Sequence, residues 1–303
     1  MKTRNTFYDV VDKRFLLGLY RRINSVVKDV MRTRKGRFGL VTIVLVTAIA
    51  ILAPVLAPYD PASQNLTARL TSPNTTYLLG TDSYGRDILS RIIYGFRISL
   101  LIGVVSVGVG VAIGTIMGTV SGYYGGWVDE IIGRLIDIML AFPFLLLALI
   151  IVAVLGPSIT NMMIAVGISA APQFARLARG DALTASEKEF VTAADSIGRS
   201  HFSIIVEHII PNIFTSVVVM ATLYMGRAII ISAALSFLGL GVQPPTPSLG
   251  LILADGRDFI ALAPWITIAP GLAIVLVVLG FNLLGDALND ALDPELQTGD
   301  KLQ

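Results

Sequence analysis

The sequence predicts an all-α, polytopic membrane protein with six transmembrane helices. Of its 303 residues 54% are hydrophobic and only 15% charged, where a soluble domain carries about a quarter charged residues. The mean hydropathy is +0.75, and uncharged stretches recur at the roughly 20 residues needed to cross a bilayer. With no cysteine and two histidines, disulfide frameworks, thiolate metal sites and cysteine nucleophiles are excluded, and little is left for an imidazole site. This is not the composition of a soluble enzyme.

The first element is a basic segment, 1–37, with eleven Lys/Arg against three Asp, a net +8 in a chain whose total is +2. It runs directly into Phe38–Ala57, twenty residues without a charge. Basic residues flanking an apolar run place that side in the cytoplasm. A cleaved signal peptide has a shorter charged region and an apolar core of about 7–15 residues, so 38–57 reads as a permanent first helix. Residues 58–97 are polar and carry Pro58, Pro61 and Pro73, an extracytoplasmic loop. The second span is Ile98–Tyr124. Gly110, Gly114, Gly118 and Gly122 recur there every fourth residue and fall along one helix face, where small residues let backbones approach.

From Ile138 to Gln173 there are 36 uncharged residues, too many for one crossing. Gly156-Pro157 supplies a break, because proline lacks the N–H and disfavours helix before it. Spans are therefore predicted at 131–155 and 159–177, followed by 213–238, interrupted by Arg227, and 265–286. Six crossings from inside place 58–97, 156–158 and 239–264 outside. They place 122–130, 178–212 and the tail 287–303 inside. Seventeen Lys/Arg then lie on the inner side and five on the outer, in the sense required for cytoplasmic N- and C-termini.

The inner loop 178–212 is longer than a connector needs. Thr184 and Glu187 match a capping box that opens a helix, and Gly198 stands where a left-handed cap closes one. Between them Phe190, Ala193, Ala194 and Ile197 recur at helical spacing. This is a short amphipathic surface helix offering an apolar ridge to a partner.

Single residues carry further expectations. Arg227 is the only Lys/Arg deep in a span: it lines a pathway and meets an anionic group, or it pairs within the bundle, or it snorkels. Asp137 and Arg134 are read as a same-face pair. Asp286, Asp290 and Asp293 at the last helix's inner end oppose its dipole and call for a basic partner, the N-terminal block or another subunit. The run Asp82 to Asp87 lacks the alternation of a calcium loop and reads as a turn packing the outer loop onto the bundle. His201 and His208 lack zinc spacing and read as structural, and no metal site is expected. No G-x-x-x-x-G-K-[ST] occurs, so any ATP that drives the protein binds elsewhere.

The stretch EFVTAADSIGRSHFSIIVEHIIPN, 189–212, resembles the cytoplasmic "EAA" loop of bacterial ATP-binding-cassette importer permeases, with Ala193-Ala194 and Gly198 at its Ala-Ala and Gly positions. Thr192 stands where many members have Glu; Glu189 lies one turn earlier. Gly122–Glu130, Leu79–Arg97, Leu235–Gly250 and Phe281–Pro294 are similar to the C-type subunit of dipeptide/oligopeptide permeases, with Leu249 where those commonly show Trp. The resemblance spans about residues 38–296.

It implies the type I ABC importer permease fold, a core over 98–286 and alternating access. It also implies a coupling helix carrying Glu189, Phe190, Ala193, Ala194, Asp195, Ile197 and Gly198. The implied partners are a second homologous permease, two ATP-binding cassette ATPases that hold ATP and Mg, and an extracytoplasmic substrate-binding protein; the chain itself holds no cofactor and is not an enzyme. The implied cargo is di- or oligopeptides, imported across the plasma (inner) membrane. Nickel complexes, glutathione and oligosaccharides are alternatives for the same machine. An ion-coupled secondary carrier is the rival class, but it calls for mid-membrane carboxylates that the spans lack. The basic block adjoins lipid rather than nucleic acid.

Overall fold

The computed structural model describes residues 25–292. The cations before Ser25, Asp293 and most of the tail 287–303, for which the sequence carries expectations, lie outside them. Among the described residues the elements are helical, with one isolated bridge between Thr81 and Asp87. In chain order they are α1 (Arg34–Ile51), α2 (Ala53–Leu56), α3 (Ile88–Tyr124), α4 (Gly126–Leu140), α5 (Phe144–Leu155), α6 (Ile159–Ser186), α7 (Glu189–Ser196), α8 (His201–Ile204), α9 (Ile210–Phe237), α10 (Leu249–Gly256) and α11 (Trp265–Leu292).

The bundle is organised on the α3–α6 pair, its most extensive helix contact. The glycine ladder makes that contact possible. A Cβ added at Gly114, Gly118 or Gly122 would stand 2.4, 2.1 and 2.6 Å from the carbonyl oxygens of Ala171, Ala175 and Arg179. The reciprocal notch is Gly167, whose Cβ would stand 2.7 Å from the Ser106 carbonyl. α9 and α11 pack beside this pair, and α1 lies on α11, where Gly39 and Gly280 permit close approach. Phe174, Met162, Val166, Ile229 and Leu235 are fully buried in the main core.

Several boundaries differ from the sequence reading. The second helix begins at Ile88 rather than Ile98, because Asp87 caps it by accepting from the Ser90 N–H at 2.8 Å. At 37 residues it is roughly 55 Å long, well beyond a hydrocarbon core of about 30 Å. The expected third span is broken: α4 and α5 meet at 93° across Ala141–Pro143. Among the described residues three helices are long and apolar enough to cross a membrane, namely α3, the continuous run His201–Phe237, and α11, or four with the bent pair taken as one span. α1 falls short because its 18 residues open on Arg34, Lys35 and Arg37, and α6 because Asn161, Ser169, Gln173 and Arg176 dilute its apolar residues.

Candidate functional site

The loop expected over 178–212 is shorter and better built than the sequence implied. α6 runs to Ser186 and the next helical run opens at His201, leaving 187–200 for the short helix α7. The capping box does not form. Thr184 sits inside α6 and donates its hydroxyl to the Gly180 carbonyl at 3.1 Å, and Glu187 is the C-cap of α6. α7 opens instead after Lys188. Its far end is a Schellman motif: Gly198 adopts φ +78° and donates to Asp195 at 2.9 Å, while Arg199 donates to Ala194 at 3.2 Å.

The faces of α7 divide the expected site residues. Glu189, Phe190, Ala193, Asp195, Ile197 and Gly198 are exposed, Ile197 at 79%. Ala194 is the correction: it is 7% exposed and packs inward with Val191, which the sequence reading did not single out. The two join Ala178, Ala182, Ala185, Ile204 and Ile209 in a second hydrophobic cluster. Residues 190, 193 and 197 fall on one helical face and 191 and 194 on the adjacent one. The helix is therefore seated by one pair and presents the other three.

Beneath it the chain re-enters the bundle through a π-helical turn, Ile205–Ile209. Pro211 cannot donate to the Glu207 carbonyl, and an inserted residue relieves the clash a proline makes within a helix. His201 is held by Tyr123, whose hydroxyl lies 2.9 Å from Nδ1, and the His208 ring lies 5.9 Å from that of Phe190. His208 thus meets the helix, while His201 ties the start of the next helix to the end of α3.

Arg227, the expected pathway residue, is exposed and projects from the middle of α9. Its guanidinium carbon lies 4.7 Å from the Phe144 ring centroid and 5.5 Å from that of Tyr224. Nη1 donates to the Tyr224 hydroxyl at 3.3 Å. Around it is a cavity of about 220 Å³, lined also by Phe142, Pro143, Leu147, Ser169 and Gln173. The α4–α5 bend supplies the first two, the first turn of α5 supplies Leu147, and α6 supplies the last two, groups the sequence reading did not bring together.

Several other charges are paired. Asp137 does not pair with Arg134; it meets Arg176 of α6 at 2.9 Å, and Arg134 meets Glu130. Asp129 accepts from Nε and Nη2 of Arg179 and from the Ser121 hydroxyl, a second tie between α4 and α6. Asp290 finds its basic partner in Lys35 at 3.8 Å.

The turn from Asp82 to Asp87 holds a network not foreseen from the sequence. Asp82 accepts from Arg86 Nε at 2.6 Å and from Arg91. Asp255 of α10 accepts from Arg86 Nη2 at 2.9 Å and Arg91 Nη2 at 3.0 Å. Arg91 and Asp82 are fully buried and Arg86 is 5% exposed. The turn does pack the loop 58–97 onto the bundle, through charge.

Comparison with known proteins bears on this arrangement directly. Residues 110–298 match the family described as binding-protein-dependent transport system inner membrane component. Residues 26–73 match the N-terminal TM domain of oligopeptide transport permease C. The dipeptide transport system permease protein DppC of Alkalihalophilus pseudofirmus is 46% identical over 268 residues, 88% of each chain. DppC of Haemophilus influenzae is 45% identical, over 88% of this chain and 92% of its own. The glutathione transport system permease protein GsiD of Shigella flexneri is 48% identical over 84% of each chain. Among solved structures, an inward-facing MetNI methionine ABC transporter chain aligns with a TM-score of 0.56 at 17% identity, over 68% of this chain and 98% of its own. At that identity the likeness concerns the fold.

Proposed function

Because the chain belongs to the binding-protein-dependent transport system inner membrane component family, as a multi-pass permease subunit of an ABC importer and not itself an enzyme, we propose that its cargo is di- or oligopeptides. The observation that carries the cargo is the similarity to dipeptide permeases along most of both chains. Glutathione, itself a small peptide, is the second reading, favoured by the equally similar glutathione permeases.

In this reading the chain crosses the membrane six times with both termini cytoplasmic. It forms half of a pathway completed by a second permease. α7 is the coupling helix: Phe190, Ala193 and Ile197 enter a cleft of an ATPase, Glu189 and Asp195 flank them, Gly198 closes the helix, and Ala194 holds it to the bundle. Two such ATPases hold ATP and Mg. Their closure moves α7, and the small-residue contact between α3 and α6 transmits the movement as a rigid unit, opening the pathway outward. The segments 58–97 and 239–264 receive the binding protein.

Arg227 lines the pathway. A cation at the centre of a span costs about 3 kcal/mol on insertion scales, which favours a water-accessible cavity over lipid. The test is reconstitution of both permeases and ATPases in liposomes with the cognate binding protein. ATP-dependent uptake of dipeptides is expected, with glutathione as competitor to separate the two cargoes. Uptake driven by an ion gradient through this chain alone overturns the reading.

A further inference from the structure

Between Ile210 and Phe237 the only charged residue is Arg227, and among the described residues no carboxylate lies within ion-pair reach of it. Phe144 and Tyr224 both lie within cation–π distance of the guanidinium, and such contacts attract the cation without neutralising it. Of its five N–H donors, one is directed to the Tyr224 hydroxyl. The side chain is thus positioned by rings and left short of acceptors, beside a cavity at the 93° bend between α4 and α5.

Resting on the peptide-importer reading, we propose that this cavity is a transit subsite for the peptide's C-terminal carboxylate. The guanidinium receives the carboxylate oxygens, a geometry in which Arg binds two oxygens at once. Gln173 and Ser169 line the cavity on the α6 side, and Phe144 and Leu147 give the terminal side chain an apolar wall. At about 220 Å³ the cavity is below the roughly 300 Å³ at which pockets for whole ligands begin. It therefore takes one end of the cargo, and every unmodified peptide has a carboxylate there whatever its side chains. The absence of a fixed carboxylate partner is what lets the cargo supply one.

The experiment uses the complete importer in liposomes, with binding protein saturated in turn by radiolabelled dialanine and by its C-terminal amide. The wild-type complex is expected to import the acid at least about tenfold faster than the amide, the lower range for a charge-assisted hydrogen bond. Arg227→Met brings the two rates together by slowing the acid, with ATPase stimulation by loaded binding protein retained; Arg227→Lys keeps part of the preference. An unchanged acid-to-amide ratio in Arg227→Met overturns the subsite, as it would if a carboxylate of the second permease occupied Arg227. If Arg227→Met does not assemble, equal wild-type rates for acid and amide overturn it. Import of neither compound by the wild-type complex overturns the peptide reading itself.

Discussion

The carbonyl oxygen of Ala175 lies against Gly118 so closely that a Cβ built on Gly118 would stand 2.1 Å from it. Backbone meets backbone there, and no flexible side-chain end is available to move aside. Overpacking a core typically costs about 1–3 kcal/mol, so Gly118→Val is expected at or above the upper end. Gly108 lies on the same helix with nothing within 4 Å of its would-be Cβ. There Gly→Ala is neutral or stabilising by up to about 1 kcal/mol. Thermal unfolding of the detergent-solubilised permease compares the two, and equal shifts rule out the ladder as the seam of the bundle.

The buried outer network predicts an asymmetry between ion pairs. Asp82→Asn leaves Arg91, whose Nε already lacks a partner, against a weakened acceptor in a site with no solvent access. Removing one member of a buried pair costs about 3–5 kcal/mol. Arg257→Ala breaks the pair with Asp258, whose side chains are 59% and 75% exposed, and exposed pairs contribute about 0–1 kcal/mol. Denaturation midpoints of the two variants should therefore separate clearly. Similar midpoints mean that Asp82 is not what ties the outer loop to α10.

The proposed coupling helix makes its two faces separable by experiment. Ile197→Asp alters an exposed position, so unfolding is expected to change by no more than about 0.5 kcal/mol, while capture of the ATPase falls at least about tenfold if Ile197 is an anchor. Ala194→Leu acts through the seating of the helix and weakens capture together with stability. It forces methylenes into the cluster with Ala182 and Ile204, so α7 lifts off and limited proteolysis cuts near 187–200. Gly198→Ala introduces a side chain at φ +78°, a strain of about 1–2 kcal/mol, and weakens capture through misplacement of the helix. Normal capture by all three variants places the ATPase elsewhere.

What was legible in the sequence, and what was not, follows from the range of the forces involved. The spacing of Gly110, Gly114, Gly118 and Gly122 is a property of one helix, so the packing face could be read directly; its partner carbonyls on α6 could not. Gly198 was legible because a positive φ is a local demand of the cap. Thr184 misled because its hydroxyl has two local options, capping a following helix or bonding back to the fourth preceding carbonyl, and continuation of α6 selects the second. Arg86 and Arg91 looked like loop charges because burial with Asp255 depends on a segment more than 160 residues away. Arg227 was conspicuous by position alone, while Phe144 and Gln173 became its neighbours only through the bend.

The two ties between α4 and α6 should differ in strength despite their common pattern. Asp129 and Arg179 are 22% and 40% exposed, and the carboxylate also accepts from Ser121. Asp137 and Arg176 are 70% and 62% exposed, joined by one hydrogen bond at 2.9 Å. A doubly hydrogen-bonded, partly shielded carboxylate–Arg pair holds its geometry in salt better than an exposed single contact. Asp129→Asn is thus expected to lower stability by about 1–2 kcal/mol, and Asp137→Asn by less than about 0.5 kcal/mol. Raising the salt concentration should erase the smaller effect first. Because α4 leads through the bend to the Arg227 cavity, loosening Asp129 should also slow transport at unchanged binding-protein affinity, whereas Asp137→Asn transports normally. If both variants transport equally well in the reconstituted importer, the α4–α6 ties do not position the cavity.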